Sequence, residues 1–239
     1  QIDFKTNVDW KETHKLLKVA FPVNVYSSRA TYEIPFGSVE RPTHNNTSWE
    51  QAQYEVCGQR WADLSEGNYG VSLLNDSKYG YDIKGNNIRL SLLRAPKWPD
   101  TSADIEEHAF TYTLYPHIGD WRMGETARKG HELNSAVTVL QAEAHDGTLP
   151  ASKSFVETAS QSAIVDAIKQ SEDQSGIVAR VYEAEGSETN TELSFGFDVS
   201  TIKETNLLEE PMENEAVQEG KISKKIKPYE ICTFHITKE

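Results

Sequence analysis

The chain has 239 residues, with 24 Lys and Arg against 37 Asp and Glu, a formal net charge of −13, and 37% hydrophobic residues. Nucleic acid and anionic membrane surfaces carry dense negative charge, so this balance argues against either as a natural partner. No apolar run approaches the ~20 residues needed to cross a bilayer, the N-terminus has no signal-like apolar core, and the length suits one large domain or two smaller ones.

In chain order, Ile2 and Phe4 alternate with polar neighbours in QIDFKTNV, which predicts an edge strand over residues 1–8 that enters a sheet already begun upstream. Because the chain opens directly in strand and starts with Gln1 rather than Met, it is expected to be an excised fragment. A polar turn over 9–15 holds Trp10 and His14. The run from Leu16 to Tyr26 alternates around Pro22, which suits an edge strand or a bulge. A strand from Ala30 to Ile34 is stopped by Pro35 and Gly37. Ser38 to Ser48 then reads as a polar surface loop carrying Glu40, Arg41 and His44, with overlapping Asn-x-Ser/Thr sequons at Asn45 and Asn46. Strand material follows over 54–57 and 59–64, with Trp61 as a core anchor.

The stretch Gly70 to Pro96 organises the chain. Two apolar runs, Gly70 to Leu74 and Ile88 to Leu93, flank a segment dense in Asn, Asp, Gly, Lys and Tyr, which reads as strand, long loop, strand. In the second run Ile88, Leu90 and Leu92 fall on one face, with Arg89, Ser91 and Leu93 on the other. A loop carrying Asn75, Asp76, Lys78, Tyr79, Tyr81 and Asp82 is either a solvated hairpin loop or a place where a β scaffold presents polar groups to a ligand.

Beyond a polar loop over 95–107, FTYTLY puts Phe110, Tyr112 and Leu114 on one side of a strand, with Pro116, Gly119 and Asp120 stopping it. One helix is predicted from about Trp121 to Ala142, capped by Asp120. The Gly/Pro-bearing segment AHDGTLPASKS, residues 144–154, reads as a linker. A second all-β unit follows over 155–239. Ser162 to Lys169 fits helix or strand and is read as strand because Gly176 to Glu183 follows at hairpin distance and needs a partner; further strands are predicted at Thr191 to Val199 opposite, and at Tyr229 to Ile236. The acidic segment Glu204 to Gly220 is read as a solvated connection beside Lys224, Lys225 and Lys227, with a metal or acidic-tail role as the alternative.

Several of these stretches carry a resemblance. GVSLLNDSKYGYDIKGNNIRLSLLRAP (70–96), HKLLKVAFPV (14–23), ATYEIPFGSVERPTHNNTSWE (30–50), RWADLSEGNYG (60–70) and FTYTLYPHIGDW (110–121) occur in the order found in the C-terminal region of glycoside hydrolase family 38, and together span roughly half the chain. The chain therefore resembles the C-terminal part of a zinc-dependent, retaining α-mannosidase of the bacterial and cytosolic branch. The resemblance implies an all-β fold: residues 1–145 as the latter part of a large galactose-mutarotase-like β-supersandwich, a linker over 146–154, and a small C-terminal sandwich over 155–239. It also implies that the nucleophile, the acid/base and the zinc ligands lie in an upstream catalytic domain, so that this chain has no catalytic, metal or cofactor site of its own.

What the resemblance implies for the chain itself is packing against that upstream domain and completing a cleft for mannose-containing oligosaccharides. Under this reading Asn75 and Asp76 hydrogen-bond mannose hydroxyls, Tyr79 or Tyr81 stacks on a pyranose, and Arg94 binds Asp76 or substrate oxygens. The structural alternative is that Asp76 and Arg94 pair with each other or cap the loop. The full-length enzyme is expected to be cytoplasmic and to admit homo-oligomers. Cys57 and Cys232, in no CxxC or Cys/His ligand spacing, fit free thiols in a reducing compartment, with a disulfide as the alternative. The competing functional class is an autonomous carbohydrate-binding β-sandwich module.

Overall fold

The computed structural model describes residues 1–212 and 220–238. The chain separates into two units, Gln1–Val137 and Thr138–Glu239. In the first, the elements are β1 (Ile2–Asp9), β2 (Leu17–Pro22), β3 (Arg29–Ile34), β4 (Gly37–Pro42), α1 (Ser48–Ala52), β5 (Val56–Cys57), β6 (Trp61–Ser65), β7 (Tyr69–Asn75), β8 (Gly80–Lys84), β9 (Asn87–Leu93), β10 (Glu107–Ile118) and α2 (Thr126–Asn134). In the second they are β11 (Val156–Thr158), β12 (Ala163–Gln170), β13 (Ile177–Glu183), β14 (Thr189–Phe195), β15 (Thr201–Thr205), β16 (Lys221–Ile226) and β17 (Ile231–Thr237).

Unit 1 is a sandwich of a six-stranded sheet, β1-β10-β7-β6-β3-β4, and a four-stranded sheet, β2-β9-β8-β5. The alternation that predicts β9 holds: Ile88, Leu90 and Leu92 are buried in the core, and Arg89 and Ser91 face outward. From the other sheet Tyr32, Ala62, Leu64, Val71, Leu73 and Phe110 meet them. Among the described residues β1 and β2 each lie at a sheet edge, the position that Pro22 suits in β2. Phe4 stacks on its cross-strand partner Tyr112 with ring centroids 4.9 Å apart, the kind of pair that fixes a strand's register.

The outer face of the larger sheet is covered by residues 121–134. Trp121 packs on Trp61 at 5.0 Å, Tyr115 Oη donates to the Gly124 carbonyl at 2.9 Å, and Asn134 Nδ2 donates to the Asn75 carbonyl at 3.0 Å. Beneath them lies a buried polar network. Asp63 accepts from Ser72 Oγ and from His117 Nε2, each at 2.7 Å, and also from Ser65; Ser72 in turn meets Thr126 Oγ1 at 2.8 Å. Gly70 is required here, because a Cβ would come within 2.4 Å of His117 and Ser65.

Unit 2 is a smaller sandwich of β11-β14-β16 on β12-β13-β17-β15, its core formed by Ala163, Val181, Leu193, Ile202, Ile226 and Phe234. The expected β12–β13 hairpin is present, with Ala163 opposite Glu183. β14 faces β13 across the core from the other sheet rather than pairing with it.

Five sequence-based expectations need correction. Helix α2 covers Thr126–Asn134, not 121–142: it opens from Glu125 in the left-handed region (φ 51°), and beyond it Val137, Val139 and Leu140 stand exposed, with no buried face to hold a longer helix. Asp120 caps the turn before it, accepting from the backbone N–H groups of Arg122 and Met123, both at 3.1 Å. The supposed surface loop after Gly37 begins as strand β4 and then forms the short helix α1, whose Thr47 and Glu50 make a capping box. Pro116 does not stop β10, which continues to Ile118 and pairs with β7 through Pro116 opposite Val71. Between β7 and β9 the long loop is mostly strand β8, which belongs to the opposite sheet from β7.

In the acidic segment, Glu204 pairs with Lys224 at 2.6 Å and Glu209 with Lys169 at 2.7 Å; Glu213, Glu215 and Glu219 lie outside the described residues. Among the described residues, no helix is long and apolar enough to cross a membrane.

Candidate functional site

Loops gather at the two ends of the unit 1 sandwich. At one end are the β7–β8 turn, the β9–β10 connection and the β1–β2 connection. They are tied together by Trp10 N–H to the Glu106 carbonyl (3.0 Å) and His14 N–H to the Ala95 carbonyl (2.9 Å). This end carries the residues expected to meet sugar.

The fold divides those residues. Asn75 and Tyr81 are interior, which corrects the expectation for both. Asn75 Nδ2 donates to the Gln59 carbonyl at 2.8 Å and to Tyr81 Oη, and its Oδ1 accepts from Lys78 N–H at 2.6 Å. Tyr81 Oη reaches the Leu73 carbonyl at 3.1 Å, and its ring sits edge-on to Tyr32. Burial pushes the Tyr81 phenol far above its ordinary value. A ring enclosed in this way cannot stack on a pyranose; Asn75 and Tyr81 instead lock the β7–β8 turn onto the core, each satisfying the other's buried polar atoms.

Asp76, Tyr79 and Arg94 lie on the surface. The Asp76 carboxylate accepts from Thr111 N–H at 2.7 Å and from Ser77 Oγ at 2.9 Å, so it holds the turn against β10 rather than pairing with Arg94. Tyr79 is 60% exposed. Arg94 and Ala95 donate their backbone N–H groups to Asp104 at 3.1 and 2.7 Å, which fixes the base of the β9–β10 connection and leaves the Arg94 side chain pointing to solvent. That connection also carries Trp98, 85% exposed, which the sequence reading passed over as part of a polar loop. Among the described residues no group of three or more His, Cys, Asp or Glu side chains is placed together. Cys57 is exposed and Cys232 buried, and both are free thiols.

At the other end of the sandwich the β2–β3, β4–α1, β6–β7 and β8–β9 connections enclose an open groove of about 600 Å³. Its residues come from four separate loops, so no single stretch of sequence signals it.

One buried titrating cluster joins sheet and helix in unit 1. Glu33 accepts from Arg60 N–H at 2.6 Å and from its guanidinium at 2.7 Å, and Arg60 Nη1 donates to His131 Nδ1 at 2.9 Å. Burial, with Arg60 and Arg128 beside it, lowers His131 to about 4. Burial raises Glu33 above the ordinary carboxylate range against the pull of Arg60. Because His131 titrates lower folded than unfolded, its neutral form stabilises the fold fully above pH ~6.5, and that contribution is lost as pH falls towards 4. Glu33 works in the opposite sense but is common to wild type and a His131→Asn variant, which keeps a polar group near the Nδ1 position without titrating. Urea midpoints followed from pH 7.5 to 4 should therefore fall more steeply for wild type, by on the order of 1–2 kcal/mol for a half-buried group. Parallel profiles would remove His131 as the cause.

Comparison with known proteins agrees with this architecture. The model described as "Glycosyl hydrolases family 38 C-terminal domain" matches residues 1–102, and "Glycosyl hydrolases family 38 C-terminal beta sandwich domain" matches residues 162–234. Alpha-mannosidase G of Dictyostelium discoideum is 43% identical over 238 residues, 98% of this chain and 22% of that protein. Alpha-mannosidase 2C1 of Mus musculus is 40% identical over 236 residues, 96% of this chain and 22% of that protein. The crystal structure of an alpha-mannosidase from Enterococcus faecalis V583 superimposes with a TM-score of 0.82 over 98% of this chain and 27% of that one; at 21% identity it shows the fold alone. The chain thus spans about a quarter of the length of the relatives it matches. With both sandwiches matched in order, the chain belongs to glycoside hydrolase family 38, as its C-terminal β-sandwich region.

Proposed function

We propose that this chain is the non-catalytic C-terminal region of a zinc-dependent, retaining α-mannosidase that removes terminal α-linked mannose from oligosaccharides and glycans. The observation that carries this reading is its 43% identity, across nearly the whole chain, to a protein named alpha-mannosidase of which it matches only 22%. In this reading the carboxylate pair of a retaining glycosidase, about 5 Å apart, and the zinc ligands belong to sequence beyond these residues. The region packs on that catalytic domain, in a cytoplasmic enzyme that admits homo-oligomers.

Its own contribution is the loop end of the first sandwich. Tyr79 offers an exposed ring for the apolar face of a pyranose, and the Arg94 guanidinium offers N–H donors to sugar oxygens. Asp76 contributes by holding the turn that carries Tyr79.

Hydrolysis of a chromogenic α-mannoside with added zinc, by the 239-residue chain and by its full-length gene product in parallel, tests the whole proposal. Activity is expected only in the full-length protein; turnover by the chain alone, or by neither, would overturn it. In the active protein, Tyr79→Ala and Arg94→Ala are each expected to lower kcat/KM about tenfold, the scale of ~1.4 kcal/mol in transition-state binding, with the thermal midpoint unchanged. Wild-type kinetics in both variants would discard the cleft role and leave the family assignment intact.

A further inference from the structure

We infer that the groove at the opposite end of the first sandwich from the Asp76–Tyr79 turn is a binding site for a neutral hexose unit of an oligosaccharide. Its volume of about 600 Å³ falls in the ~300–1,000 Å³ range of small-ligand sites.

The groove is held by backbone hydrogen bonds between its loops. Gly85 N–H donates to the Thr43 carbonyl at 2.8 Å, Thr43 N–H to the Ser28 carbonyl at 3.1 Å, and Val23 N–H to the Asn86 carbonyl at 2.9 Å. Thr43 Oγ1 adds a bond to the Ser27 carbonyl at 2.7 Å, and Asn86 Nδ2 one to the Val23 carbonyl at 2.8 Å. Three of the four loops are thereby fixed to one another before any ligand arrives, which lowers the ordering cost of binding.

The lining has a consistent chemistry. Tyr26 is 89% exposed, with its backbone N–H fixed to Glu66 Oε2 at 2.8 Å, so a large ring stands over the groove while the chain beneath it is held. Around that ring, the Asn24 amide, the Ser28 hydroxyl, Asn86 Oδ1 and Glu66 Oε1 make no hydrogen bond within the protein among the described residues. They supply both donors and acceptors, as a polyol with alternating O–H and C–H surfaces requires. No Lys or Arg lines the groove; Glu66 is its one carboxylate, and its one histidine, His44, is engaged by Glu50 at 3.2 Å. A phosphate or other anion would meet the Glu66 carboxylate with no Lys or Arg to offset it, and a metal ion would find a single carboxylate. A neutral pyranose, its C–H face on Tyr26 and its hydroxyls on the amide and carboxylate groups, fits every wall. The choice of mannose as the first sugar to try rests on the function proposed above; the groove itself does not.

The test is photoaffinity labelling of the full-length gene product with a diazirine-bearing α-mannoside, mapped by peptide mass spectrometry. Label is expected on peptides carrying residues 24–28 and 85–86, displaced by free methyl α-mannoside. Tyr26→Ala should reduce it about fivefold, the scale for losing one anchoring ring, and Glu66→Gln by less. Both side chains are exposed, so thermal midpoints should not move, and a folded variant without label reads as a binding defect. No displaceable label on these peptides, or label equal in wild type and both variants, would overturn the site. Because labelling needs no turnover, Tyr26-dependent label in a protein that hydrolyses no mannoside would uphold the groove and discard only the enzyme reading.

Discussion

Glu33→Ala is expected to destabilise the first sandwich by about 3–5 kcal/mol, the scale for removing one partner of a buried ion pair, and to lower its thermal midpoint by more than about 10 °C. Glu33 lies almost wholly inside, on β3, and its carboxylate accepts from both the backbone and the guanidinium of Arg60 on the neighbouring chain segment. Without it the Arg60 charge keeps its burial and its contact with His131 but loses its counter-ion. Most of the loss is therefore the cost of leaving a largely desolvated guanidinium without that carboxylate, rather than the net strength of the pair. This distinction is measurable. An Arg60→Met, Glu33→Ala double variant is expected to be more stable than Glu33→Ala alone, since removing both charges removes the penalty. A single-variant loss below about 1 kcal/mol, or a double variant worse than the sum of the singles, would show that the pair is better solvated than its geometry indicates.

Trp61→Ala carries a comparable loss, about 3–5 kcal/mol for truncating a large buried aromatic, but by a different route. Trp61 is 1% exposed and sits on the outer face of β6, between the sheet and the covering segment, with Trp121 at 5.0 Å and Gly130 of α2 packed against its ring. A Cβ on Gly130 would come within 2.9 Å of the indole, so helix and ring are matched in shape. The cavity left by alanine lies directly under α2. Amide hydrogen exchange in residues 121–134 should accelerate well beyond that in β8 and β9, which pack on the other sheet. Trp61→Phe should restore most of the protection. Uniform acceleration through both sheets would instead mean that Trp61 supports the whole sandwich and not its helical cover.

The balance between what was readable in the chain and what was not follows the range of the interactions involved. β9 and β10 were legible because a strand with one buried face records that face in its own alternation, as Ile88, Leu90 and Leu92 do, and β12 because the apolar run of β13 follows at hairpin distance. The family was legible for a related reason: its motifs are local strings around those strands. Helix α2 was over-extended because the apolar residues after Asn134 resemble a helical stripe, while the surface that would bury such a stripe is not encoded next to them. Tyr81 and Asn75 were misread because polar and aromatic residue types signal surface only on average. Here β8 crosses to the second sheet, carries the tyrosine inside, and lets Asn75 satisfy its hydroxyl. Trp98 and the Tyr26 groove were missed because exposure and concavity arise between loops far apart in sequence.

The sequence by itself therefore determined the class of fold, most of its strands and the family, all of which rest on interactions within a few residues or on local pattern. Only the tertiary structure decided which polar residues are inside and which face solvent. Burial of Asn75, Asp63, Glu33 and Tyr81 depends on partners contributed by other strands and by α2, up to about 71 positions away in the case of Arg60 and His131, and a polar side chain is stable in the interior only when those partners complete its hydrogen bonds.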